Sequence, residues 1–342
     1  MSKKEKYNVA MVGATGAVGE ALMSILKERK FPIGEFAPLA SARSAGEQIE
    51  FGTRHVTVRD VATFDFAGID IAFFSAGASV SRAHAPRAGA AGAVVIDNTS
   101  EFRYDDDIPL VISEVNPDAL KDYEARRIVA NPNCSTMQML VVLAPIHRTV
   151  GIERINVATY QSVSGAGRSG MEELGKQTAA LLNFQDVKPE KFTRQIAFNV
   201  IPHIDTFQEN GYTKEEMKMV WETRKILGDE AINVNPTCVR VPVFFGHAEA
   251  VHIETRVKIS ADDARALLEK APGVLVIDRR EAGGYPTPVG DAAGKDAVLV
   301  GRIRDDISHP RGLDLWIVAD NIRKGAALNA VQIAELLVKS YL

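Results

Sequence analysis

A chain of 342 residues with 46% hydrophobic and 25% charged positions is long enough for two compact domains, each with its own core, and its composition excludes a disordered or fibrous protein. A formal net charge of -4 and the lack of a long Lys/Arg block argue against nucleic acid or an anionic membrane as partner, which leaves small-molecule chemistry. No apolar stretch approaches the roughly 20 residues of a bilayer span, and the basic N-terminus runs into a strand pattern too short for a secretory signal, so a cytoplasmic protein is expected.

In chain order, Tyr7–Val12 reads as a first strand and residues 17–29 as a helix. Residues 36–40 read as a second strand, 70–74 as a buried one, 79–92 as an Ala-rich helix and 94–97 as another strand. This alternation is the pattern of a parallel sheet wrapped by helices. From about Gly151 the texture changes to longer alternating segments, 155–163, 251–259 and 313–318, as in an antiparallel or mixed sheet. Residues 282–294, rich in Gly, Pro and Asp, read as a loop. The last segment, 323–341, has apolar residues at helical spacing and is expected to pack back on the first domain. The fold class is therefore α/β: a Rossmann-like parallel-sheet domain, then an α+β domain with a mixed sheet.

Gly13-Ala14-Thr15-Gly16-Ala17-Val18-Gly19 lies between the first strand and the first helix, where a dinucleotide-binding turn belongs. Its glycines permit close backbone approach, and the helix start offers N–H groups and positive dipole to a pyrophosphate. The second strand ends in Ser41-Ala42-Arg43-Ser44. A carboxylate there would hold a ribose 2′-hydroxyl; hydroxyls and a guanidinium suit a 2′-phosphate, so NADP is favoured over NAD.

The two cysteines, Cys134 and Cys238, lack the spacing of a zinc or redox pair, and no metal is expected. Cys238 lies in an apolar run and reads as a small buried hydrophobe. Cys134, in Asn131-Pro132-Asn133-Cys134-Ser135-Thr136, follows an apolar strand and precedes a helical pattern. A helix N-terminus raises the thiolate fraction of a thiol, and its N–H groups can hold an oxyanion. Cys134 is thus the expected nucleophile, carrying an acyl group as a thioester. Of seven histidines, His247 and His252 are the best placed proton-transfer partners, and spacing alone separates them poorly.

The combination of GATGAVG, SARSAG, NPNCST, YQSVSGAG, CVRVPVFFGH and DNIRKGAALNAVQIAE, in this order along essentially the whole chain, resembles the bacterial type of aspartate-semialdehyde dehydrogenase. The resemblance implies reversible, NADPH-dependent reductive dephosphorylation of L-aspartyl 4-phosphate to L-aspartate 4-semialdehyde with release of phosphate. The pathway implied is aspartate-family biosynthesis of lysine (through diaminopimelate), threonine and methionine. It makes Cys134 the acyl-thioenzyme nucleophile, Gln161 the amide that orients the substrate, and His247 the general acid/base. Arg240 is implied as the clamp on the substrate carboxylate, Glu215 as an amino-group contact, and Lys218 and Arg103 as phosphate contacts. Asn133 joins the substrate- and phosphate-binding positions. Ser164 and Gly165 match a loop near the nicotinamide, and Asn321 matches a late cofactor contact that is Gln in some members. A homodimer is implied, with residues 170–228 contributing to its interface. The corresponding domains are 1–133 for NADP binding, with 322–342 packing back, and 134–321 for catalysis and dimerisation.

Two alternatives belong beside this reading. An N-acetyl-glutamyl-phosphate reductase resembles the chain in its cofactor domain and covalent cysteine, but typically has Gly where Asn133 stands. A catalytically silent dinucleotide-binding paralogue should lack part of the Cys/Gln/Arg/His set, which is complete here.

Overall fold

The computed structural model describes residues 4–342. The chain forms two compact units: one comprises the residues up to Pro132 together with Ala326–Leu342, the other Asn133–Gly325.

In the first unit, β1 (Tyr7–Val12) is buried along almost its whole length, as a central strand covered on both faces must be. α1 (Ala17–Glu28) buries Leu22, Ile25 and Leu26 along one stripe. β2 (Ile33–Ala40) starts earlier than the apolar run indicates, because Tyr7 already pairs with Ile33. The hairpin of β3 (Gln48–Phe51) and β4 (Arg54–Thr57), and the two-residue β5 (Arg59–Asp60), escape the sequence reading; none buries a continuous apolar face. β6 (Ile71–Phe74), α2 (Ala78–Ala90), β7 (Val94–Asp97) and β8 (Ile128–Ala130) complete the alternation. The sheet runs β5-β2-β1-β6-β7-β8, every pairing parallel. From β1 the chain builds outward to one side and then, from β6, to the other. The turn 13–19 sits at that switch point, where ligands bind in open α/β sheets.

The second unit opens with α3 (Cys134–Val150), β9 (Ile152–Gln161), α4 (Arg168–Leu182) and α5 (Lys214–Leu227). It continues with β10 (Asn233–Arg240), β11 (His247–Thr255), α6 (Ala261–Leu268), β12 (Val274–Val276), β13 (Val298–Asp305) and β14 (Gly312–Ala319). Its sheet is mixed, ordered β10-β9-β11-β14-β13-β12, with β9–β10 and β12–β13 parallel and the rest antiparallel. α3 packs on β9, β11 and β14, α5 on β10 and α6 on β13.

Three sequence expectations need correction here. The strand expected over 155–163 is β9, which stops at Gln161; Val163 donates instead to the carbonyl of Val243 and enters a 3₁₀ turn. The strand expected over 251–259 is β11, which begins at His247 and ends at Thr255, because Arg256 and Val257 turn to the carbonyls of Gly151 and Val150. The expected loop 282–294 contains a π-helical turn, Pro288–Ala292.

Back in the first unit, the final helix is likewise shorter than the apolar pattern. A π-helical segment, Arg323–Ala327, precedes α7 (Leu328–Ser340). α7 packs against α1 and β7 and places Leu328, Val331, Ile333, Ala334 and Leu337 in the core shared with Val9, Leu22, Ile25 and Ile96. Among the described residues no helix is long and apolar enough to cross a membrane.

Candidate active site

The glycine turn of the first unit is shaped for close approach. Gly13 has φ +94°, and a Cβ there would meet Ser75 Oγ at 2.9 Å and the Ala76 backbone at 3.1 Å. A Cβ at Gly19 would lie 2.3 Å from the Gly13 carbonyl oxygen. α1 begins after Gly16 with no side-chain cap, so its dipole end is left to whatever lies beyond Thr15, Ala17 and Val18. Ser41, Ala42, Arg43 and Ser44 follow β2 in a turn closed by Ser44 N–H donating to the Ser41 carbonyl at 2.9 Å. The first three are exposed. The sheet adds one carboxylate invisible to the sequence reading: Asp60 of β5 pairs with Ala40, the last residue of β2. Its Oδ1 already accepts the Ala62 N–H at 3.0 Å. These residues fit a dinucleotide at the pyrophosphate by backbone shape and at the 2′ position by charge. Arg103 also belongs to the first unit, where its Nη2 donates to the Asn98 carbonyl at 3.0 Å.

The second unit gathers most of the remaining expected residues. Cys134 is the first residue of α3 and half-buried. Its helix is capped by Asn133, whose Oδ1 accepts from Ser135 N–H at 3.0 Å and Thr136 N–H at 3.2 Å. Asn133 is in turn held by α5. Its N–H donates to Glu222 Oε2 at 2.6 Å and its Nδ2 to Glu215 Oε1 at 3.0 Å. Gln161, at the end of β9, donates from Nε2 to Ser135 Oγ at 2.7 Å and to Glu215 Oε1 at 2.9 Å, leaving its buried Oε1 unpartnered among the described residues. Lys218 donates to Glu215 Oε2 and to Asp205 Oδ2, both at 2.9 Å. Glu215 is fully buried, which works against its charge, yet Lys218 and the donors Gln161 and Asn133 outweigh burial and hold its carboxyl at about 2. For Lys218 burial is likewise outweighed, by Glu215 and Asp205, and its pKa rises.

Arg240 pairs in register with Gln161 and donates from Nη1 to the Ser162 carbonyl at 2.7 Å. Burial draws its pKa down, against the influence of Glu215 and of Cys134, whose thiol faces the guanidinium electrostatically. A Cβ at Gly165 would lie 2.8 Å from Arg240 Nη1 and 3.3 Å from His247 Nε2, so the glycine is what lets the loop lie over both. His247 opens β11 and is fully buried. Burial and the Arg240 charge push its imidazole down to about 3. Ser162 N–H donates to its Nδ1 at 3.1 Å. The neutral ring therefore carries its proton on Nε2, an atom buried without a hydrogen-bond partner among the described residues.

Behind this histidine, Asn321 Oδ1 accepts from Ser162 Oγ, Ser164 Oγ and Gly246 N–H, and its Nδ2 donates to Ser164 Oγ, at 3.0 to 3.2 Å. His252, the rival in the sequence, is an odd number of residues along β11 and so on the other face. There its Nδ1 lies 3.1 Å from Asp314. Cys238 is buried against Met219, and burial pushes its thiol pKa well up.

Sequence reasoning missed Ser135, Ser162, Asp205, Glu222 and Gly325. Ser162 sits inside a motif already singled out, whereas Asp205 and Glu222 carry no pattern. A Cβ at Gly325 would meet the Cys134 Cβ at 2.8 Å.

Fold and site together define the class: a two-domain dehydrogenase, with a dinucleotide-type α/β unit and a mixed-sheet unit built around a cysteine. Residues 8–123 match the family described as semialdehyde dehydrogenase, NAD binding domain, and residues 143–324 match its dimerisation domain. The aspartate-semialdehyde dehydrogenase of Legionella pneumophila is 60% identical over 98% of this chain and 96% of its own. The structure of aspartate semialdehyde dehydrogenase II of Vibrio cholerae, complexed with ASA, superimposes with a TM-score of 0.97 at 59% identity, covering 99% of this chain and 100% of that one. The chain belongs to the aspartate-semialdehyde dehydrogenases.

Proposed function

We propose that this chain catalyses the NADPH-dependent reductive dephosphorylation of L-aspartyl 4-phosphate to L-aspartate 4-semialdehyde, and the phosphate-dependent reverse reaction with NADP. The observation that carries the reading is the convergence of Gln161, Glu215, Arg240 and His247, all buried, around the half-buried Cys134, with open valences that match this substrate. Arg240 offers a planar fork to the α-carboxylate. Glu215, held charged, receives the α-ammonium. Lys218 takes the phosphate, and Arg103 is assigned a phosphate contact on the family resemblance.

Cys134 thiolate attacks the acyl carbon, the C–O bond to phosphate breaks with its electron pair on the leaving oxygen, and a thioester remains. Bound NADPH supplies the hydride that reduces it. The Nε2–H of His247, desolvated and unpartnered, is a donor ready for the oxygen that becomes negative as the thiohemiacetal forms. Collapse returns the electron pair to the carbonyl and expels the Cys134 thiolate. The unpartnered Gln161 Oε1, fixed by two donor bonds from its own Nε2, orients the acyl chain.

Cys134→Ala should abolish phosphate-dependent oxidation of the semialdehyde while NADP still binds. Retained turnover would remove the nucleophile assignment. Assaying N-acetyl-glutamate semialdehyde beside the aspartate semialdehyde tests the nearest rival. Arg43→Ala should raise the Michaelis constant for NADP and leave that for NAD unchanged. The protein is read as a cytoplasmic homodimer, in keeping with the dimerisation-domain match, and gel filtration with light scattering tests the stoichiometry.

A further inference from the structure

Lys218 is steered from a place with no sequence signal. An ammonium has three N–H donors. One reaches Glu215 Oε2 and a second Asp205 Oδ2, each at 2.9 Å, so the third has a fixed direction left for a ligand. Glu215 and Lys218 lie one helical turn apart on α5, an ordinary neighbour pair. Asp205 comes from the irregular segment before α5, and three features single it out.

Its backbone is left-handed, φ +69°, a conformation that only glycine adopts freely and that Asp and Asn tolerate best among the rest. Its second oxygen accepts the Thr206 N–H at 2.9 Å, which fixes the carboxylate that meets Lys218. The segment carrying it is tied at both ends to site elements. Ile201 exchanges both backbone hydrogen bonds with Arg240, and Thr206 accepts the Lys214 N–H at the start of α5. A single strap thus joins the backbone of Arg240 to the side chain of Lys218.

We infer that Asp205 is a positioning residue that aims the Lys218 ammonium at the phosphate of the substrate. The inference rests on the reading of Lys218 as a phosphate contact. Asp205 touches no reacting atom; it acts by fixing two of the rotatable ammonium's three bonds, so that an incoming phosphate finds the third already directed. A carboxylate beside a phosphate subsite also repels the ligand, and the two effects predict opposite results when the carboxylate is removed.

The left-handed backbone makes the test clean, because Asp205→Gly deletes the carboxylate while relieving the backbone, and Asp205→Asn keeps an acceptor oxygen while deleting the charge. Steady-state oxidation of L-aspartate 4-semialdehyde with NADP, titrated with inorganic phosphate, gives the readout. Asp205→Gly should raise the Michaelis constant for phosphate about tenfold, the order expected for a lost charge-assisted contact, with kcat and the constant for NADP close to wild type. Asp205→Asn should restore most of the phosphate affinity. If both variants bind phosphate as well as wild type or better, Asp205 is a repelling or incidental charge and the inference falls. It falls equally if Asp205→Asn is as impaired as Asp205→Gly. Lys218→Ala separates the two levels: an unchanged phosphate constant in that variant overturns the phosphate role of Lys218 itself. An impaired Lys218→Ala beside a normal Asp205→Gly overturns only the positioning by Asp205.

Discussion

Beneath the site residues lies a second set, one step further into the unit. Glu249 follows His247 on the same face of β11, Thr159 precedes Gln161 on β9, Cys238 precedes Arg240 on β10, and Gln138 is one turn beyond Cys134 on α3. Glu249, Thr159 and Cys238 face one another in register across three strands. Glu249 is fully buried, and its oxygens and the polar atoms of the nearby Gln138 amide make no well-formed hydrogen bond among the described residues. Burial pushes the Glu249 carboxyl well above the ordinary range, offset only in part by the adjacent Gln138 amide, which favours the neutral acid. With the folded pKa raised, its contribution to stability is fully present below the unfolded pKa. It declines as pH rises, by about 1.4 kcal/mol per pH unit until the folded pKa is passed. Glu249→Gln lacks that titration, so it should be more stable than wild type at neutral pH, and the advantage should widen with pH above the ordinary carboxylate range. Thermal midpoints at fixed protein concentration check this; a gap that does not change with pH would mean that Glu249 does not titrate on unfolding. Nothing in the sequence marks Glu249, since one acid in an alternating strand reads as solvent-facing. Spacing alone could not choose between His247 and His252, and the choice came from the resemblance; β11, starting at His247, puts the two on opposite faces.

Among the elements, α3 and α5 are coupled through one side chain. Asn133 caps α3 with Oδ1 and donates to Glu215 with Nδ2, so one amide fixes the start of the helix that carries Cys134 and the carboxylate read as the amino-group contact. Asn and Asp are comparable caps, but a carboxylate at 133 would face Glu215, which is ionised. Asn133→Ala should cost about 1–2 kcal/mol from the lost cap. Asn133→Asp should cost more than Asn133→Ala in a denaturant titration, despite being the better cap. The reverse order would show that the Glu215 contact contributes little. This cap is visible in the sequence, since Asn before a helical run is a start signal. The doubly wound part of the first unit was legible for a similar reason: β1 from Val9 onward, β6, and β7 up to Ile96 are continuous apolar runs, which a strand buried on both faces requires. The β3–β4 hairpin and β5 were not legible. The hairpin is a separate two-stranded sheet that packs only Ile49 and Phe51 on the unit, and β5 is two residues at the edge of the main sheet, so neither is long enough to show a period. The two π-helical turns were missed because they interrupt helical or loop texture without changing its composition.

At the scale of the molecule, the discontinuity of the first unit bears directly on the cysteine. The second unit begins at Asn133 and ends at Gly325, and its two ends meet: Cys134 is its second residue, and Gly325 lies against the Cys134 Cβ. The ends of the first unit meet in the same way, through Asn131 Nδ2 donating to the Ala326 carbonyl at 3.1 Å. Within the second unit, its first and last residues therefore lie together at Cys134, and their spacing is set by a residue with no side chain. The backbone of Gly325 is outside the left-handed region, so alanine is acceptable to the backbone and its only penalty is the contact at 2.8 Å with the Cys134 Cβ. Covalent catalysis depends on the attacking atom lying within a few tenths of an ångström of its path, and a displacement of about 1 Å costs up to ~100-fold. Gly325→Ala should accordingly lower kcat by about 10- to 100-fold. Pre-steady-state measurement of phosphate release locates the defect, since a displaced thiol slows acyl transfer before any hydride moves. A normal rate of phosphate release in Gly325→Ala would mean that the backbone at Gly325 yields to the added methyl and that Cys134 is held from the Asn133 side alone.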